Sequence, residues 1–374
     1  MAPEQMYPFL NSLLSPFWKR HQKTLGLMIA AIAVTGQARS FAISTTVARW
    51  MGTRLDSAVN RFYRLLRNAR IDYTVFASQL LQLLQARHGG EVVLAVDWTE
   101  WHHGLRMLVA GAVTGKRGIP VFAHAFPQRI WRRSQNSREN TFLRVLVDAC
   151  RRAGVLPTIL CDRGFRRASW LKLLQDLNVG FVVRLMDDVT VELVDGEQVQ
   201  LKAILLTQGR VLDLGVVPLR QDGRISARVI GYWAPGAHEP WWIATHETIS
   251  ASAALRLYDR RMTIEECFRD TKGRRFGVKL FWTQFRDPEA LARFVMLLAV
   301  AILIWISAGV AATRRDPSLR LVCRKKGPRQ SYVTIGLRVV ALERIDISWT
   351  SRAISMRLEK PHLRNLGRLA VGGK

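Results

Sequence analysis

Residues Tyr258 to Lys272 read Y-D-R-R-M-T-I-E-E-C-F-R-D-T-K. Ala253-Ala254-Leu255 leads into the stretch, no proline interrupts it and Gly273 follows it, so the pattern predicts one helix. At roughly 100° per residue, Tyr258, Arg261, Glu265 and Lys272 fall within an arc of roughly 60° on one face. Such a face is usually a solvated stripe with helical ion pairs. Here Leu255, Met262, Ile264 and Phe268 give the helix an apolar side as well, so partial burial is expected. One carboxylate among two cations and a phenol has the composition of a phosphate site built round a metal-binding carboxylate.

The spacing Y-x2-R-x3-E-x6-K resembles the signature of DDE transposases of the insertion-sequence-4 family, with all four positions matched. The resemblance implies two further aspartates upstream at strand ends. Glu91 to Val96 is a continuous apolar strand that ends at Asp97, and Pro157 to Cys161 is another that ends at Asp162. Between them lie strands at Met107–Val113 and Ile119–Ala125, with a Thr114–Gly118 turn, and a helix at Asn140–Ala153. A helix at Ala168–Leu177 and a strand at Phe181–Leu185 follow. Three strands, helix, strand, helix, strand resembles the α/β ribonuclease-H-like fold, where Asp97 and Asp162 stand at the ends of strands one and four. A carboxylate there faces a crevice and calls for a cation. Singly, each aspartate reads better as a turn or cap residue; together with Glu265 they read as a catalytic triad. Glu266 lies about 100° round the helix from Glu265. Asp187 and Asp188 are decoys for the second aspartate. His102 and His103, adjacent in a strand and without cysteine spacing, give no zinc site.

Residues 187–250 read as a β-rich insertion, with strands at Thr190–Val194, Val211–Val217, Ile225–Tyr232 and Trp241–Thr245. Turns are expected at Asp195-Gly196 and Asp222-Gly223. An insertion at this point again resembles the family, where an aromatic can stack on a flipped base; Trp233, Trp241 and Trp242 are the candidates, each against the commoner reading of a core tryptophan.

The 374 residues carry 56 basic and 29 acidic side chains, a formal charge of +27. Nucleic acid is the first partner such an excess suggests. Residues 1–88 read as a small all-α N-terminal domain. Seven arginines and one acid, Asp56, lie between Arg39 and Arg70. Helices at Ser44–Met51 and Leu55–Leu66, with Gly52 between, suit a helix-turn-helix as well as a plain bundle. Arg54, Arg61, Arg64 and Arg67 are the candidate DNA contacts. Four cysteines without pairing or zinc spacing suggest a reducing compartment, and no secretory signal is expected at the N-terminus.

Phe294–Ala312 is 19 residues without a charge. That is long enough to span a membrane, but Ser307 and Gly309 dilute it, so burial in the core is expected. The catalytic core would then comprise residues 89–186 and 251–312, and residues 313–374 a basic C-terminal segment that includes Arg324-Lys325-Lys326.

The family resemblance implies metal-dependent cut-and-paste transposition through a hairpinned end, by a dimer on terminal inverted repeats and target DNA. Two Mg²⁺ or Mn²⁺ ions about 3.5–4 Å apart would be held by Asp97, Asp162 and Glu265. Tyr258, Arg261 and Lys272 would grip phosphates, and the protein would work without a membrane in the bacterial cytoplasm at the nucleoid. A metal-dependent nuclease or resolvase on the same fold, and a non-catalytic DNA-binding derivative, are the rival expectations.

Overall fold

The structure is a computed structural model that describes residues 7–85, 91–115, 117–221, 223–272, 280, 283–320 and 330–341. Arg324-Lys325-Lys326, Gly273 and the remainder of the basic tail lie outside the described residues. The chain opens with α1 (Tyr7–Leu14), α2 (Lys19–Thr35), α3 (Ser40–Met51), α4 (Leu55–Leu66) and α5 (Tyr73–Gln85). Then come β1 (Glu91–Glu100), β2 (Leu105–Thr114), β3 (Arg117–Pro127), α6 (Gln128–Arg152), β4 (Leu156–Cys161), α7 (Ala168–Asp176) and β5 (Gly180–Leu185). This is the expected order of three strands, helix, strand, helix, strand. Strands β6 (Thr190–Glu192), β7 (Gln198–Gln200), β8 (Val211–Gln221), β9 (Gly223–Tyr232) and β10 (Trp241–Thr245) follow. Helices α8 (Ala251–Asp259), α9 (Thr263–Lys272), α10 (Pro288–Arg315) and α11 (Tyr332–Ala341) complete the described chain.

All ten strands form one sheet in the order β3-β2-β1-β4-β5-β10-β9-β8-β6-β7. Strands β1, β4 and β5 run parallel, β2 pairs antiparallel with β1, and β3 antiparallel with β2. The strands of the β-rich stretch 187–250 continue that sheet. Strand β10 pairs antiparallel with β5, from Trp242↔Leu185 to Thr245↔Val182, and β9, β8, β6 and β7 carry the same sheet onward. Pairing with β10 satisfies backbone groups that β5 would otherwise present as an open edge.

Two boundaries move in ways that matter for the site. Strand β1 does not end at Asp97: it pairs with β2 as far as Glu100↔Arg106, while its pairing with β4 stops at Val96↔Cys161. Asp97 thus stands where β1 parts from β4, still braced on its other side. The predicted single helix over 258–272 is two, α8 and α9, joined by a 3-10 turn at Arg260–Met262. The flanking angles stay in the right-handed helical region (Arg260 φ −78°, ψ −9°; Thr263 φ −62°, ψ −22°), so Arg261 and Glu265 remain neighbours one turn apart.

Helix α10 is the apolar helix expected in the core. Among the described residues it is the one single helix long and apolar enough to cross a membrane, and its most apolar window is 94% buried inside the protein. It packs on β3, α2, α4, α5 and α11, and Trp305 Nε1 donates to the Ala33 carbonyl of α2 at 2.9 Å. The N-terminal helices share this core with the sheet. A charge-free helix is what a position surrounded on every side requires.

Candidate active site

The parallel register places Val96 beside Cys161, and the next residue on each strand is an aspartate. Adjacent strands lie about 4.8 Å apart, so Asp97 and Asp162 emerge side by side. Each also does the local work that its sequence context suggested. Asp162 Oδ1 accepts from the Gly164 amide at 2.8 Å and caps the 3-10 turn Arg163–Phe165. Asp97 Oδ1 accepts from the Trp98 amide at 2.7 Å. Capping occupies one named oxygen in each case, so it does not compete with a second role for the other.

For Asp97 that second partner is Arg261. Its guanidinium, with a side chain only 13% exposed, lies 3.4 Å from Asp97 Oδ2 and 3.3 Å from Glu265 Oε1. Both contacts are longer than the roughly 2.7–2.9 Å of a tight charge-assisted bond, so the bridge is loose. Burial pushes the Asp97 carboxyl up to about 6, and the neighbouring Asp162 charge pushes the same way, as does that of Glu265. The Trp98 amide and Arg261 pull against them. The charges of Asp162 and Glu265 therefore both bear on the Asp97 carboxyl.

Among the described residues, no three His, Cys, Asp or Glu side chains stand together as a ready ion-holding group; Glu265 reaches Asp97 only through Arg261. The chemistry of the donors nonetheless suits a hard divalent cation. All are carboxylate oxygens, and Asp97 and Asp162 are adjacent with their charges in conflict. Arg261 stands between Asp97 and Glu265, with its guanidinium within 3.4 Å of both carboxylates.

Tyr258 is buried against the half-buried Trp241, their rings edge to face at 5.0 Å, and the Arg261 guanidinium lies 6.0 Å from its ring centre. Burial raises the phenol's pKa, against the pull of the nearby Arg261 and Arg184 charges. Arg184 in turn donates to Glu239 Oε1 at 2.6 Å. Lys272 ends α9; its side chain lies outside the described residues. Trp242 is only 2% exposed and packs against Gly231. Trp233, half-buried after β9, donates Nε1 to the Ala237 carbonyl at 2.9 Å. Arg54, Arg64 and Arg67 are exposed and Arg61 half-buried on and beside α4.

Glu266 is turned elsewhere: Arg117 at the start of β3 pairs with it at 2.7 Å and with Asp270 at 3.1 Å. Helix α9 can lie this close to β3 because Gly118 has no side chain; a Cβ there would sit 2.8 Å from the Thr263 carbonyl oxygen. Asp187 and Asp188 are exposed beyond β5. His102 and His103 are not in a strand, as expected, but in the tight turn between β1 and β2, where His103 has φ 56° and meets Gln284 Oε1 at 2.7 Å.

One group escaped the sequence reading. Glu139, fully buried on α6, accepts from Trp98 Nε1 and Gln135 Nε2, each at 2.9 Å, and is paired with Arg167. Arg167 also donates to Asn140 Oδ1 at 2.8 Å. This network anchors the residue next to Asp97 to α6 and to the start of α7. The sequence pattern starts its helix at Asn140, one residue too late to place Glu139 on it; the real helix begins at Gln128, with a kink at Ser134.

Compared with known families, residues 88–304 match the model of the transposase DDE domain. The match covers more than half of the chain and takes in the whole sheet, α6 to α9 and the greater part of α10. No curated protein matches the chain.

Proposed function

The chain belongs to the transposase DDE domain family, and from that premise we propose that it moves an insertion sequence by cut-and-paste transposition, with Asp97, Asp162 and Glu265 as its metal-holding acids. Membership makes it a DDE transposase, a family whose domains generally use divalent metal ions. The strand order β3-β2-β1-β4-β5 with β1, β4 and β5 parallel supports a ribonuclease-H-like core. The finer placement in the insertion-sequence-4 family rests on the spacing of Tyr258, Arg261, Glu265 and Lys272.

The observation that carries the reading is that Asp97 and Asp162 each directly follow the last β1–β4 pair, Val96↔Cys161, with Arg261 linking Asp97 to Glu265. In this reading Asp97 and Asp162 form the fixed half of the site, held by β2 pairing and by the Gly164 amide. Glu265, exposed on α9, is the adjustable half. A DNA phosphate entering beside Arg261 offers the guanidinium a stronger partner than either carboxylate. Arg261 then swings onto the phosphate and frees Glu265 to join the aspartates. Tyr258, packed against Trp241, donates its hydroxyl toward the same strand, and Lys272 supplies a second cation at the end of α9. When bound, two Mg²⁺ or Mn²⁺ ions supply an activated water or 3′-hydroxyl and stabilise the leaving oxygen. The DNA partners are the terminal inverted repeats and a target duplex, engaged by a dimer.

The test is a strand-resolved cleavage assay on the element's own ends in Mg²⁺. Asp97→Asn, Asp162→Asn and Glu265→Gln should each abolish cutting and leave DNA binding largely intact. Normal cutting by Glu265→Gln overturns the assignment. Cutting without joining of a 3′-hydroxyl end to target DNA would favour a nuclease instead.

A further inference from the structure

We propose that the corner where α2 begins and α4 gives way to α5 binds unpaired nucleotides of DNA, with Trp18 as the stacking platform. Trp18 is 62% exposed. Two arginines from separate segments lie against its indole: the Arg20 guanidinium 4.9 Å and the Arg70 guanidinium 5.8 Å from the ring centre. His21 lies nearly parallel to it, with ring centres 6.0 Å apart and planes 6° apart. Asn68 Nδ2 contacts His21 Nε2 at 3.2 Å and so ties the two segments together. Lys19 and Lys23 are exposed on the same first turns of α2.

Trp18 does nothing evident for the fold. It stands at the N-cap of α2 but makes no capping hydrogen bond with its side chain, and most of its surface is open to solvent. The same pairing occurs on α4, where the exposed Tyr63 carries Arg67 at 5.9 Å. Asp72, the acid closest in sequence to Arg70, accepts from the Thr74 amide with Oδ1. Exposed aromatic faces interleaved with arginines and lysines are what a single strand needs, with base faces on the rings and phosphates on the cations. An intact duplex hides its base faces; it would use the arginines and leave the indole idle. The site therefore fits unpaired or flipped nucleotides, such as those exposed when a DNA end is opened. The inference does not depend on the metal-site reading.

The test measures binding of the full chain to a labelled single strand and to the matching duplex by fluorescence anisotropy, with EDTA present so that nothing is cut. Trp18→Ala should weaken single-strand binding about tenfold, the ordinary size of one lost base–aromatic stack, and change duplex binding less than about twofold. Trp18→Phe should retain most of the affinity. Arg20→Gln/Arg70→Gln should weaken both ligands and flatten the salt slope by about one to two units. Unchanged single-strand affinity in Trp18→Ala, equal losses on strand and duplex, or no single-strand binding by the unaltered protein would each overturn the proposal. Thermal melting of Trp18→Ala should match the parent, so that lost binding is not lost folding.

Discussion

Arg261 lies between two carboxylates that the proposed chemistry needs on the same ions, so guanidinium and metal compete for the same oxygens. Removing it should raise the Mn²⁺ affinity of the DNA-free protein by about tenfold, an ordinary size for coupling between neighbouring sites, and still impair cutting because a phosphate contact is lost. Calorimetry of Arg261→Ala checks this, and unchanged or weaker Mn²⁺ binding contradicts it. A second residue sets an acid sensitivity. His124 on β3 is held down to about 4 by burial and then by Arg138, and its ring is hydrogen-bonded to Tyr73. Its folded pKa is depressed below the free value of about 6.5, so between pH 6.5 and 4 the unfolded chain binds more protons. Stability should therefore fall as pH drops through that window, by up to about 3 kcal/mol from this group. Asp97 and Asp270, both raised to about 6, push the other way, so the difference between the parent and His124→Asn isolates the effect: as pH falls from 6.5 to 4 the variant's melting temperature should drop less, or rise more, than the parent's. Equal slopes would contradict it. Asp97 and Asp162 were legible in the sequence because an acid directly after an apolar run is conspicuous. Glu139 was not, because its importance comes from Trp98 and Arg167, 41 and 28 residues away.

At the scale of elements, most strands could be read from runs of branched and aromatic residues bounded by turns, and Trp241–Thr245 was placed to the residue. Their pairing could not, since nothing local says that β10 will complete the edge of β5. The short β7, Gln198–Gln200, carries no apolar run and was missed. The long apolar helix was legible, and its true ends are set by polar signals: Asp287 caps the Glu289 amide and Pro288 takes the first turn. What the pattern did not reveal is how α11 closes over it. Gly309 and Gly336 meet backbone to backbone, and a Cβ on Gly336 would stand 1.7 Å from the Trp305 carbonyl oxygen. Because that neighbour is main chain, it cannot rotate away. Gly336→Ala should cost about 1–3 kcal/mol and speed amide exchange across residues 332–341. Exchange at the parent rate would show that the helices can separate slightly without penalty.

Across the whole molecule, a formal charge of +27 was the plainest signal of a polyanionic partner. DNA affinity should fall linearly on a double-logarithmic salt plot, with a slope that counts the neutralised phosphates; a flat titration would reject phosphate-dominated binding. The site is also a property of the whole chain, since Asp97, Asp162 and Glu265 come from three distant segments that only the shared sheet and the docking of α9 bring near one another. The sequence supplied the three acids and the order of the elements. It could not supply the Arg261 bridge, which depends on how closely α9 approaches β1. The most direct measurement is anomalous scattering from Mn²⁺ in crystals of the protein bound to its own DNA ends. The expected result is manganese within roughly 2.3 Å of carboxylate oxygens of Asp97, Asp162 and Glu265, with Arg261 moved onto a phosphate. Manganese bound elsewhere, or Glu265 still held by Arg261 with DNA in place, would contradict the account.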